Sequence, residues 1–490
     1  MKKLKYTITI LALVSLSLSC EDYLDEQPTV QVSEEQLFQN VSGLQVVLNG
    51  IYKFLLTESN GMNLGIAGMQ IYNLTATPDL WVRNIGNAFY ENSIFSSVRT
   101  ESAGTFSSRF WTHYYQVINN CNIILLNVDS FAQEAPEQVA AIKGQALALR
   151  GYAYFHLIRY YQHPYSIART APGVPIYLDR ASADRPQKDR DTVEEVYAQI
   201  LADLNGALTE LSGFDRPSME YIDSDVVNGL LAKVYLTMEN WAEAEQHASA
   251  ARTGHPLMSA EEYTGGFDTS NAEWIWGFGQ TENDNIQTTN LFSRWFFNGH
   301  RPAGTVFGDG TLRINESFVN LFDASDIRYQ FRYIDVGGGP LETGWTSDKF
   351  RDDGSNYLGD MIVMRGAEML LIEAEALAQQ GSTGPALTLL NELQNARSVE
   401  TPTSTMVQED LIEAIWIEKR KELYSEGLVY WDVLRRQIDL VKLGADEGGD
   451  ALDPLVIPAR DNRFILQIPD DEMNFGGITV QNPLDGIFGG

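Results

Sequence analysis

The sequence is poor in cysteine, histidine and positive charge. Two cysteines among 490 residues cannot build a disulfide framework. The six histidines, His113, His156, His163, His247, His255 and His300, are scattered, with none paired at metal-ligand spacing, so no zinc site is expected. Lys and Arg number 35 against 66 Asp and Glu, a net charge of −31. Nucleic acid and an anionic membrane both demand a basic surface, so neither is expected as the main partner. No H-E-x-x-H, G-x-S-x-G or phosphate-loop pattern occurs, which removes the motif-borne hydrolytic and nucleotide chemistries. Asp348, Asp352, Asp353 and Asn356 cluster, as do Asp446, Glu447 and Asp450, but without the spacing of a calcium loop. They read as solvated acidic loops, and neither metal nor cofactor is expected.

What is present is enough apolar material for a large core. Hydrophobic residues make up 44% and aromatics 11%, which excludes a disordered chain. The length alone would allow about three domains. At the start, Lys2, Lys3 and Lys5 precede an apolar run from Tyr6 to Leu18. That run falls short of the about 20 residues a bilayer-spanning helix needs. A basic start, a short apolar stretch and small residues before Cys20 read as a lipoprotein signal over 1–19. Cys20 would become the acylated first residue, with Glu21, Asp22, Asp25 and Glu26 following as an acidic tether. Cys121 sits in a helical pattern and reads as a buried small hydrophobe.

The periodicity is helical. Ser33-Glu34-Glu35-Gln36 and Thr192-Val193-Glu194-Glu195 are capping boxes. Leu37, Val41, Leu44, Leu48, Ile51 and Leu55 follow the first, and Val196, Ile200, Leu204, Leu208 and Leu211 the second, each set on one helix face. Further helices are expected near 108–130, 136–162, 224–239, 240–253, 360–380, 384–397, 407–425 and 428–443. Leu231, Ala232, Tyr235, Ala244, Ala251 and Pro256 fit a tetratricopeptide unit, with small residues where two antiparallel helices approach. Ala374, Leu377 and Ala386 repeat the frame 142 residues on. The fold class is therefore mainly α: a helical-repeat scaffold (about 34–56, 108–162, 190–253 and 360–443) with large irregular loop-rich insertions. The insertions, about 57–107 and 254–358, are long enough to expect function in them. No Pro/Ser-rich linker divides the chain, so 20–490 reads as a single composite domain.

Several blocks together resemble one family. They are Cys20-Glu21-Asp22-Tyr23-Leu24-Asp25, Ala148-Leu149-Arg150-Gly151-Tyr152-Ala153-Tyr154-Phe155, Gly173-Val174-Pro175-Ile176 and Met364-Arg365-Gly366-Ala367-Glu368. Glu418-Lys419-Arg420-Lys421-Glu422-Leu423 with Glu426-Gly427, Trp431-Asp432-Val433-Leu434-Arg435 and Gln481-Asn482-Pro483 complete the set. In this order the sequence resembles the SusD/RagB family of Bacteroidetes outer-membrane lipoproteins. It departs from the family pattern at Gly366, where an aromatic is usual. The resemblance implies a lipid-anchored protein of the cell surface on a tetratricopeptide (SusD-like) scaffold, without enzymatic activity or cofactor. It also implies the role of a lid on a SusC-type TonB-dependent transporter, to which a bound polymer fragment, most often a glycan, is delivered.

Sugar binding has a physical requirement: aromatic rings for the apolar C–H face, and polar side chains for the hydroxyl rim. Trp111, Trp241, Trp416 and Trp431 lie in helices and read as core. Trp274 and Trp276 alternate in a strand pattern, one face of which is expected to pack inward. Trp81, Trp295 and Trp345 remain in irregular segments. Trp81 stands with Asp79, Arg83 and Asn84, and Trp295 with Phe296, Phe297, Asn298, His300 and Arg301. The candidate ligand-binding residues are therefore Trp81, Asp79, Asn84, Trp295, Phe296, Phe297, Asn298 and Arg301, with Tyr90 and Trp345 as further aromatics. Arg365, Glu368, Glu375, Glu418, Arg420 and Glu422 read as ion pairs pinning helices, not as catalytic groups. Two other functions keep the same fold: peptide cargo for the same transporter, and a protein-binding scaffold with no cargo.

Overall fold

The apolar spacing decides the first helices. The computed structural model describes residues 38–56, 58–59, 62–63, 65–82, 92–93, 95, 99, 101–102, 105–182, 184–281, 312–335, 343–350, 359–400, 404–442 and 455–489. Helix α1 (Val41–Leu56) buries Leu44, Leu48, Ile51 and Leu55, the stripe read from the sequence. The next helices are α2 (Ile66–Thr75), α3 (Thr105–Asn127), α4 (Pro136–Tyr161), α5 (Val193–Glu210), α6 (Ser224–Thr237) and α7 (Trp241–Arg252). After a strand-rich interval come α8 (Gly366–Gln379), α9 (Thr383–Ala396), α10 (Gln408–Leu423), α11 (Val429–Arg435) and the short α12 (Asp470–Asn474). Thr192 and Glu195 close the capping box of α5 reciprocally: the Thr192 N–H donates to Glu195 Oε2 at 2.8 Å, and the Glu195 N–H to Thr192 Oγ1 at 3.3 Å.

From α3 to α9 each helix packs on the next, and α10 packs on α8. The hairpins α6–α7 and α8–α9 are the two units aligned in the sequence. Ala232, Ala244, Ala251, Ala374 and Ala386 are fully buried where these helices approach. Where α4 crosses α5, a Cβ on Gly144 would stand 2.5 Å from the Leu211 side chain, so glycine sets the helix separation there. One apolar core extends from Leu44 to Ile478. Smaller clusters lie between α8, α9 and α10 and around α11. Trp111 and Trp416 are buried as expected, Trp241 and Trp431 partly. Cys121 is a buried free thiol whose pKa burial pushes up.

Besides the two-residue antiparallel pair Glu58–Ser59 and Met62–Asn63, the strands are β1 (Leu80–Val82), β2 (Trp274–Phe278), β3 (Leu312–Ile314), β4 (Phe331–Asp335), β5 (Thr343–Ser347), β6 (Met361–Arg365), β7 (Leu440–Lys442) and β8 (Leu455–Ile457). β1, β3, β5 and β4 form, in that order, an antiparallel sheet; β2 pairs with β6, and β7 with β8. The interval 254–358 is thus more regular than its composition implied, and 57–107 contains α2 and β1. Every residue of α2 is buried, so no polar face marks it as a helix in the sequence. Both rows of β2 are buried, not one: Trp274 and Trp276 are inside and so is Ile275 between them, and Trp276 Nε1 donates to Glu220 O at 3.0 Å.

Three helix boundaries also differ from expectation, the first being the helix expected to open at Ser33, which starts only at Val41, where Asn40 Oδ1 accepts from the Gly43 N–H at 3.1 Å. Residues 361–365 are a strand because they pair with β2, so α8 starts only at Gly366. Gly366 itself has no room for the family's aromatic, since even a Cβ would lie 2.4 Å from His255 O. The helix expected to reach 443 ends at Arg435; Gln437 follows at φ 53° and the chain continues into β7.

Candidate functional site

The four-stranded sheet carries the part of the sequence-derived site that the structure describes. Its register aligns Leu80 with Ile314, Ile314 with Trp345, and Trp345 with Tyr333. Residues in register share a face, and their chain neighbours point the other way. The row Leu80, Ile314, Trp345, Tyr333 begins in the core and ends in solvent: Leu80 is 2% exposed and Tyr333 61%. Trp81, in register with Arg313, and Arg332, in register with Thr346, belong to the opposite face. Trp81 is half-buried at the edge strand. It keeps ring surface available, but it cannot share one sugar face with Trp345, which lies across the sheet.

Asp79 is placed differently from expectation. Its carboxylate is buried and held by Arg420 of α10, whose Nη2 and Nε both donate to it, the latter at 3.3 Å. Burial works against the Arg420 charge, but Asp79 outweighs it and the guanidinium pKa is raised. Arg420 also lies over the rings of Trp416 and Phe318, 5.8 Å from each centroid. The Asn315 N–H donates to Asp79 O at 2.9 Å. Asp79 thus anchors the start of β1, two residues before Trp81, instead of offering a carboxylate to a sugar hydroxyl. Asn84, Tyr90, Trp295, Phe296, Phe297, Asn298 and Arg301 lie outside the described residues, as do residues 1–19, Cys20 and the Ser33–Gln36 box. Of the acidic clusters, Asp348 is described and accepts from Arg332 at 2.7 Å.

On this sheet the sequence reading missed an exposed ring, Tyr333. Tyr333 meets Trp345 edge-on, with centroids 5.5 Å apart, and the available signal was the alternation Phe331-Arg332-Tyr333. Buried charge ties this sheet to the helices. Lys349, just after β5, donates to Glu422 O (2.8 Å), Tyr424 O (2.9 Å) and Glu426 Oε1 (2.7 Å). Burial lowers its pKa to about 8. Arg365, at the end of β6, reaches Glu273, Glu422 and Glu426, each at 2.7 Å. Arg328 joins Asp326 at 2.7 Å and Glu422 at 3.3 Å. The residues expected to form ion pairs do so: besides Arg365, Arg420 and Glu422, Glu368 pairs with Lys233 at 2.8 Å, Glu375 with Arg435 at 2.6 Å and Glu418 with Arg328 at 2.9 Å. Between α2, α4, α6, α8 and α10 lies an internal cavity of about 80 Å³. This is well below the roughly 300–1,000 Å³ of sites for sizeable ligands.

Residues 22–236 match a SusD-like family model described as "Starch-binding associating with outer membrane", and residues 240–484 match that of the SusD family, SusD_RagB. The chain belongs to the SusD/RagB family. Among curated relatives, SusD-like protein P2 of Formosa agariphila is 23% identical and aligns with 96% of this chain and 97% of its own. SusD-like protein P25 of the same organism is 22% identical, over 88% and 90%. A solved SusD-like carbohydrate binding protein from Bacteroides vulgatus superposes with a TM-score of 0.78 at 29% identity, covering 89% of this chain and 96% of that one. A SusD superfamily protein from Bacteroides thetaiotaomicron gives the same TM-score at 23% identity, covering 91% and 100%; this likeness speaks for the fold. The SusD-like scaffold of stacked helical hairpins is therefore shared along nearly the whole chain. Among the described residues, no helix is long and apolar enough to cross a membrane.

Proposed function

We propose that this SusD/RagB protein binds a glycan at the cell surface and delivers it to a SusC-type TonB-dependent barrel for uptake. Acylation at Cys20 would hold it to the outer membrane. It acts by binding, without chemical conversion of the cargo. The observation that carries the reading is Trp81: a half-buried ring on an edge strand whose base is clamped to α10, in a chain matched by a family described as starch-binding. The ring supplies the apolar platform. In this reading Trp295, Phe296, Phe297, Asn298 and Arg301, with Asn84, complete the grip on the sugar face and rim. Asp79 acts through Trp81 as a positioning residue.

Titration calorimetry against a panel of soluble polysaccharides, and against peptides of matched length, tests this. Trp81→Ala is expected to weaken glycan binding about tenfold or more, the loss of one stacking ring and its buried area. Asp79→Asn is expected to weaken it less, and Trp295→Ala at least as much. Binding of peptides alone would replace the glycan with peptide cargo. Unchanged glycan affinity in both Trp variants would remove the proposed site.

A further inference from the structure

A second concave surface lies on the helical scaffold, built from elements that the sheet does not use. It is a cleft of about 570 Å³ between α3, the chain after Tyr177 and α12, within the size range of ligand pockets. Trp111, Tyr115 and Asn119 line one wall at helical spacing. Tyr177 faces in from the second side, with the Arg185 guanidinium 3.7 Å from its ring centroid. Phe475 stands at the third, 75% exposed. A lone exposed ring is ordinary on a protein surface. Here two further rings, the half-buried Tyr115 and Tyr177, line the same hollow over the buried Trp111, with Gln116 and Gln187 exposed among them.

The walls are fixed before any ligand arrives. Asn122 Nδ2 donates to Tyr177 O and Asp179 O, both at 2.9 Å, and Tyr115 Oη donates to Pro175 O at 2.7 Å. The Ala181 N–H donates to Asn119 Oδ1 at 2.6 Å, and the Tyr177 N–H donates to Tyr154 Oη at 2.7 Å. Gly477, at φ +83°, lets the α12 side close onto Gln187. Such preorganisation spares a ligand the ordering cost of the site.

The chemistry of the cleft selects its occupant. Rings beside amides suit the C–H face and hydroxyl rim of a pyranose. Arg185 is set over Tyr177, and Asp471 and Glu472 also line the cleft, so a polyanionic glycan meets carboxylates. The α3 wall has its backbone groups spent within the helix, leaving no ladder for an extended peptide to join. We propose that this cleft is a second glycan-binding site, taking a short neutral oligosaccharide chain. The proposal rests on the glycan-binding reading above and adds a site to it.

Calorimetry on the full chain with maltohexaose, cellohexaose, xylohexaose, mannohexaose and laminarihexaose tests it, using wild type, Trp81→Ala, Phe475→Ala and Arg185→Ala. Phe475 is exposed, so its variant is expected to keep the wild-type melting temperature; Arg185→Ala provides an independent probe of the same cleft. The expected result is two sites per chain for the preferred probe. Trp81→Ala then leaves the cleft site, and Phe475→Ala and Arg185→Ala each weaken that site roughly fivefold to tenfold. One site per chain, lost in Trp81→Ala and untouched by the two cleft variants, overturns the cleft alone. Binding lost in Phe475→Ala but kept in Trp81→Ala supports the cleft and overturns the sheet face. No binding of any probe to any of the four proteins overturns both.

Discussion

The N-terminal helices and the region around β6 and α10 bury their side chains by opposite means. Between α1, α2, α3 and α4 the interior is aromatic: Tyr72 meets Phe110 at 5.0 Å, Phe110 meets Tyr160 at 4.6 Å, and His113 stacks on Phe54 at 4.6 Å. Around β6 and α10 the interior is ionic. Arg328, Lys349, Arg365 and Arg397 are fully buried, with Glu273, Glu422, Glu426 and Asp326 among them. Burial pushes the Glu422 carboxyl up, but the guanidinium groups of Arg397, Arg365 and Arg328 outweigh it and hold the pKa well below the usual range. Aromatic packing is only weakly directional and tolerates small changes. A buried charge network has one satisfactory arrangement, because each ion needs its partners in place. The ionic region joins the sheet to the helices, where a fixed orientation of the Trp81 strand is needed. Gly427 belongs to this seam: at φ +76° it takes a left-handed turn, and a Cβ there would lie 2.7 Å from Gln70.

Breaking the ionic side is expected to have the largest effect. Arg365→Met strands Glu273, Glu422 and Glu426 without one of their shared cations, and the loss should be about 3–5 kcal/mol. Chemical denaturation read by far-UV circular dichroism measures it. A loss below about 1 kcal/mol would mean the network is decorative and the contrast with the aromatic region empty.

Acid sharpens the comparison from the aromatic side. Burial lowers His113 from 6.5 to about 4 and His163 to about 4 as well. Both are neutral in the folded state at pH 6, while the unfolded chain takes up protons near 6.5. Their contribution is therefore fully present above pH 6.5 and is lost as pH falls towards 4, on the order of 3 kcal/mol for each. Glu422 and Glu426 have lowered pKa values, so their contribution is lost only below the ordinary carboxylate range. Stability should decline first through the histidines, between pH 6.5 and 4, and His113→Phe should flatten that decline. A flat profile over this window in wild type removes the assignment.

Much of the scaffold was legible because it rests on local rules. The α1 stripe, the Thr192–Glu195 box and the alanines of the two hairpins are each written within a turn or two of helix. Three features were not. α2 has no polar face to give it a period. β1 has three residues, too few for an alternation to register. In Glu418-Lys419-Arg420-Lys421-Glu422, local i, i+4 pairing was the natural reading. Among these residues, Arg420 instead finds Asp79, 341 residues away, and Glu422 finds Arg365, 57 away. Long-range partners leave no trace in local spacing. For the same reason Asp79 read as a sugar ligand: beside Trp81 in sequence, it is indistinguishable from a carboxylate facing solvent.

The smallest expected effect separates packing from directed bonds within the aromatic region. Tyr160 is buried, touches Phe110, and donates from Oη to Asn73 Oδ1 at 3.1 Å. Tyr160→Phe keeps the ring and removes only the hydroxyl. If ring burial carries this region, the loss should be about 1 kcal/mol, the net worth of one hydrogen bond. The melting temperature should fall by only a few degrees, with the pH profile unchanged. A loss above about 3 kcal/mol would place the aromatic region under the same all-or-none rule as the Arg365 network. The orientation of the Trp81 strand would then depend on both regions, not on the ionic seam alone.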